Sequence, residues 1–141
     1  MEIEGFRFPD DLYYSVEHFW GRVEDSLVTE GATDFTQQLA GEILYIELPR
    51  KGRKVEQGKP FTSVESGKWV GRVYAVVSGE IVDVNEQLED EPTLINRDPY
   101  GAGWIVKIKP SDSTELTKLM RSTDPGFRQW LLDEIQKHKR T

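Results

Sequence analysis

The segment VESGKWVGRVYAVVSGEIVDV, residues 64–84, sets Lys68 between two β-rich runs, with Gly67 before it and Trp69 after it. A lysine at the tip of a hairpin holds its ammonium in water, where it is either an idle solvated charge or an address for attaching another group. Other chemistries are thinly provided for. The chain has no cysteine, hence no disulfide framework, no thiolate metal site and no cysteine nucleophile, and any sulfur chemistry has to come from a cofactor. His18 and His138 stand 120 residues apart, with His138 in a charged C-terminal tail, which argues against a metal site. His18 is expected to donate a buried hydrogen bond near the N-terminal turn and not to act as a base. GRKVEQGKP (52–60) has one residue too many between its glycines for a phosphate loop, and Pro60 replaces the Mg²⁺-binding hydroxyl. GAGW (101–104) lacks a third glycine and opens no helix, so a dinucleotide site fails as well. With no nucleophile paired to a base, the chain reads as a non-enzyme that acts with partners.

Composition narrows the partners. At 141 residues and 37% hydrophobic content, the chain fits a single domain spanning 1–141, with a core over about 12–112 and a C-terminal helical segment over about 113–138. Eighteen basic against 25 acidic residues give a formal charge of −7, which repels phosphate backbones and favours protein partners over nucleic acid. The acidic start MEIEGFRFPDD has no basic n-region followed by an apolar run, and nowhere do eighteen apolar residues follow one another. A soluble, cytoplasmic monomer without a membrane segment is expected.

Five short β-rich runs fill the middle of the chain: ILYIEL (43–48), FTSVES (61–66), WVGRVYAVV (69–77), EIVDVNE (80–86) and GWIVKIK (103–109). Turn residues separate them, which predicts a mainly β body of small barrel or sandwich type. GEILYIEL from Gly41 and GEIVDVNE from Gly79 echo each other at 38 residues, as two halves of one barrel would, with Ser66-Gly67-Lys68 as the turn joining the halves. Ser111 or Ser113 can cap a helix over TELTKLMR, and Asp124-Pro125 can open another over GFRQWLLDEIQKHK. A short helix at 34–40 is predicted between a Thr33 or Asp34 cap and Gly41. The acidic run EQLEDE (86–91) reads as a solvated loop or a docking surface for a basic partner.

The motifs Glu17-His18-x-Trp20, TDF (33–35), GEILYIELP (41–49), VES-K (64–68), VSGEIVDVNEQLEDEPTLIN (77–96) and DPYGAGWIVKIKPSD (98–112) occur in order. With them the chain resembles the glycine cleavage system H protein family over residues 12–135. The resemblance implies a barrel-sandwich hybrid of the lipoyl and biotinyl type, flanked by short helices and a C-terminal helix. It also implies lipoate carried as an amide on Lys68, loaded by a lipoate ligase or lipoyl-transfer enzyme. The implied partners are a glycine decarboxylase, an aminomethyltransferase and dihydrolipoamide dehydrogenase.

The departures from the family pattern gather around the same lysine. Phe19 and Arg72 stand where the family usually has acids, Gly67 and Trp69 where Val and Ala are common, and Gly71 where Ser is usual. A protonated aminomethyl group drawn out of water wants carboxylates, whereas a guanidinium prefers an anion. On that ground the chain is also compatible with a lipoate-binding relative that carries sulfur intermediates for a heterodisulfide-reductase-like complex, or with an unmodified structural or regulatory relative. The bland alternatives are that Phe19 fills the core and that Arg72 pairs with Glu65 or Glu80. His18, Phe19, Glu65, Ser66, Gly67, Trp69 and Arg72 are the residues expected to dock the arm or meet a partner.

Overall fold

The computed structural model describes residues 1–139. Its strands are β1 (Glu2–Ile3), β2 (Phe6–Arg7), β3 (Tyr13–Tyr14), β4 (Phe19–Glu24), β5 (Leu27–Ala32), β6 (Ile43–Ile46), β7 (Lys54–Val55), β8 (Pro60–Ser66), β9 (Val70–Tyr74), β10 (Gly79–Val84) and β11 (Val106–Pro110). The α-helices are α1 (Asp34–Ala40), α2 (Gln87–Asp90), α3 (Leu94–Arg97) and α4 (Phe127–Lys139), with a 3₁₀ helix over Ser113–Lys118.

The strands form three open sheets: β1-β2, β3-β4-β5-β11-β10-β7 and β6-β8-β9. This corrects the expected barrel. No sheet closes on itself, and the fold mixes α and β elements. The edges show why. Tyr14 on the edge strand β3 exchanges both backbone hydrogen bonds with Met120, at 2.7 and 2.8 Å, and is thereby taken by the C-terminal segment. The opposite edge, β7, is two residues long and cannot extend a ladder. The echo at Gly41 and Gly79 falls in two different sheets, on β6 and β10. Ser66-Gly67-Lys68 joins adjacent antiparallel strands, β8 and β9, and not two halves of a barrel.

Strand β4 shows how one element serves two cores. Side chains alternate faces along a strand, so Phe19 joins the cluster shared by the two larger sheets, with Val28, Ala32, Ile43, Val64, Val73 and Val106. Its neighbour Trp20 joins Ile3, Phe8, Tyr14, Phe35, Phe127 and Leu131 on the other side. The β4-β5 hairpin turns on Asp25 and Ser26, both at positive φ (48° and 68°), the two-residue geometry that matches strand twist. Opposite Trp20 stands Gly31, where a Cβ would sit 2.6 Å from the indole. Trp20 also donates from Nε1 to the Pro99 carbonyl at 2.9 Å.

Helix α1 follows the expected limits: Thr33 caps it by accepting from Thr36 N, and Gly41 ends it at φ 78°. The segment after β11 is a 3₁₀ helix capped by Asp112, not by Ser111 or Ser113. The acidic run at 86–91 is not a plain loop, because α2 buries Leu88 against the core.

Glu30 on β5 is completely buried between Val28 and Ala32 on the core-facing side. Its Oε1 accepts from Val76 N at 2.9 Å, while Oε2 has no partner among the described residues. Burial, with Glu17 nearby as a like charge, pushes its carboxyl well above the ordinary value of 4.5. A carboxyl raised in the folded state holds its proton where the unfolded chain has lost it, so its contribution to stability declines as pH rises above about 4.5. Glu30→Gln keeps an acceptor for Val76 and removes the ionisation. It should match the parent in stability near pH 4 and exceed it at pH 7, the gap widening by up to about 1.4 kcal/mol per pH unit. Urea unfolding of both proteins across that range measures the gap; a constant gap would mean that Glu30 does not titrate with folding.

Candidate functional site

The lysine hairpin is held by its own backbone. Ser66 N donates to Trp69 O at 2.8 Å, and Lys68 N donates to Ser66 Oγ at 3.3 Å, which closes the tip around Gly67 and Lys68. Gly67 and Lys68 are both exposed. The Lys68 side chain lies along the end of α1, where a Cβ on Gly41 would come within 3.0 Å of Cε and 3.6 Å of Nζ. The carbonyl end of a helix is the favourable place for an ammonium. Asn96 fixes that end, taking Ile43 N on Oδ1 at 2.8 Å and giving Nδ2 to Gly41 O at 2.7 Å.

A cleft of about 400 Å³ opens between β4, α1 and β9. Phe19, Phe35, Leu39 and Trp69 give it apolar walls, and Glu17, His18, Arg72 and His138 also line it. It is large enough for a small ligand. Trp69 stands just before β9, and its indole lies across Gly71 so closely that a Cβ there would overlap its six-membered ring.

His18 fixes the cleft's inner corner from the left-handed region, at φ 73°, a conformation that costs a residue with a Cβ about 1–2 kcal/mol. Thr36 Oγ1 donates to the His18 carbonyl at 2.6 Å, tying the corner to α1. The His18 ring stacks on Trp130 at 5.1 Å and donates from Nε2 to Glu134 Oε1 at 2.8 Å, tying it to α4. Burial lowers its affinity for a proton, and the Glu134 carboxylate partly offsets that. The expected buried hydrogen bond is thus present, though its partner lies 116 residues away and not in the N-terminal turn. His138, distant in sequence, reaches the same corner, with its ring centroid 6.1 Å from that of His18.

The structure brings His18, Phe19, Trp69 and Arg72 into one cleft, while Glu65, Ser66 and Gly67 stay on the hairpin beside it. Phe19 both fills the core, at 3% exposure, and walls the cleft. Arg72 is exposed and forms no ion pair among the described residues, so the expected pairing with Glu65 or Glu80 does not occur. Its cross-strand neighbour is Ser63. Glu17, although quoted in the N-terminal motif, was not among the residues expected to dock an arm. It places a carboxylate in the cleft, and partial burial raises its pKa. The argument for an anionic sulfur cargo rests on Phe19 and Arg72 in place of two acids; both line the cleft, but Glu17 adds a carboxylate beside them. Phe35 and Leu39 were also not anticipated; their spacing on a capped seven-residue helix, four apart and so on one face, was the available signal.

A sequence model described as Glycine cleavage H-protein matches residues 12–126. The chain is 42% identical to glycine cleavage system H protein 4 of Aquifex aeolicus, over 97% of this chain and 79% of that one. It is 50% identical to a probable glycine cleavage system H protein of Aeropyrum pernix, over 85% of each. Among solved structures, the crystal structure of a glycine cleavage system H protein from Mycobacterium marinum matches at a TM-score of 0.71 and 31% identity, covering 79% of this chain and 98% of that one. With the lysine hairpin and the motifs around it in place, the chain belongs to the glycine cleavage H-protein family.

Proposed function

We propose that this chain is a lipoyl carrier of the glycine cleavage type, with lipoate joined by an amide to Lys68. The observation that carries this reading is the exposed Lys68 on an ordered hairpin tip, one residue from the indole that walls an apolar cleft. The residues present fit the group: the exposed Lys68 amine can accept the acyl chain, and Phe19, Phe35, Leu39 and Trp69 line an apolar cleft beside it. When attached, the cofactor supplies the thiol–disulfide exchange that a chain without cysteine lacks.

The chain's own part is to tether, shelter and release. The Ser66 bonds close the tip outside the strand ladder, so a loading enzyme reaches Lys68 without unfolding a strand. Tethering keeps the arm at a high effective concentration at whichever partner is docked. In this reading the partners are a glycine decarboxylase, an aminomethyltransferase and dihydrolipoamide dehydrogenase, in keeping with relatives named as glycine cleavage system H proteins. Inside the cleft, Glu17 is the group that can hold a protonated amine, and Arg72 opposes it.

Intact-mass and peptide analysis of protein from its native host should place the lipoyl mass on Lys68. Lipoyl mass on another lysine, or on none, would refute the assignment. Lys68→Arg should abolish loading and shift stability by less than about 0.5 kcal/mol, since the side chain lies outside both cores; a larger loss in thermal unfolding would make Lys68 structural.

Exchange of bicarbonate with the glycine carboxyl group, catalysed by a glycine decarboxylase, tests the cargo. Arg72→Gln in the lipoylated protein should raise exchange by about fivefold at low salt, the equivalent of removing one like-charge contact of about 1 kcal/mol, and by less at high salt. Unchanged exchange would show that Arg72 does not face the cargo. Phe19→Glu is less informative, because it buries a carboxylate in the main core.

A further inference from the structure

Resting on that reading, we propose that the Trp69 indole occupies the seat in the cleft that an apolar chain on Lys68 would take, so that indole and arm compete for one site.

Three features support this. The indole is a partition: it walls the open cleft on one side and, on the other, a closed space of about 10 Å³ bounded by Phe19, Val64, Val73 and Ile105. That space is too small for a chain and at the limit for a single water, so the room available to a ligand is the open cleft and the position of the indole itself. Next, the seat is made by an absence. Gly71 has no Cβ, and the ring fills the place where one would stand.

The indole is also held by contact alone. Trp20, in the core, is fully buried and gives its N–H to Pro99, whereas Trp69 is 37% exposed and its N–H has no hydrogen bond among the described residues. Leaving the seat therefore breaks no hydrogen bond. It exposes apolar surface that an incoming apolar chain covers again. Lys68 is the adjacent residue, so its attached chain is tethered at the entrance.

The competition can be read without loading Lys68. The probe is octanamide, which reproduces an apolar chain and its amide without the dithiolane, added to the unmodified protein. In nitrogen-15 spectra, octanamide should shift the Trp69 indole signal and leave that of Trp20 in place. Trp69→Ala should bind octanamide about tenfold more tightly than the parent, because the seat no longer has to be vacated first. Trp69→Phe should fall between the two. An unmoved Trp69 signal in the parent would overturn the proposal, and so would equal or weaker binding by folded Trp69→Ala, which would make the indole a wall of the site and not its occupant. The carrier assignment fails on the mass of Lys68, and this proposal fails on octanamide binding, so the two failures are distinguishable.

Discussion

The backbone at His18 is the constraint on which the cleft depends. One residue turned into the left-handed region ends the approach from β3 and starts β4 with Phe19 facing one core and Trp20 the other. The strain is held by contacts to two separate elements, Thr36 on α1 through the carbonyl and Glu134 on α4 through the ring. Each is a strong bond for its type, the second charge-assisted by the carboxylate. The corner adds to the Phe19–Ala32 strand pairing, so that the α1 wall of the cleft is registered to β4 by both backbone and side chain.

The lysine hairpin is positioned by a second, more local set of restraints. Asn96 on α3 stitches the end of α1 to the start of β6, and β6 pairs with β8, whose continuation is the hairpin tip. Lys68 is thus exposed in its side chain and placed by a hydrogen-bonded chain of contacts running back to the sheet.

Much of this was legible in the sequence where local physics decides. Thr33 and Gly41 bracket α1 because a hydroxyl cap and a glycine terminus act within a few residues, and the alternation in EIVDV gave β10. The β4-β5 hairpin, central to the larger sheet, was not legible from alternation, since Gly21, Glu30 and Gly31 interrupt it. Those residues are explained only in three dimensions: Gly31 makes room for Trp20, and Glu30 is buried as an acid with its Oε1 on Val76. Sheet closure was likewise beyond reach, because it depends on which strand end meets which edge; Tyr14 met Met120, 106 residues away. Within the site, Lys68, Phe19, Trp69 and Arg72 were legible as a group through the motifs. Glu17 and His138 were not recognised as cleft residues, because a charge beside a motif and a histidine near a chain end carry no signal of what they face.

The contact between Trp69 and Gly71 has a consequence for how such a sequence can arise. Any residue with a side-chain carbon at position 71 excludes the indole from its present seat, whereas glycine at 71 is compatible with a small residue at 69. The two positions are therefore coupled: the effect of a side chain at 71 depends on whether position 69 holds the ring, so neither can be varied independently of the other.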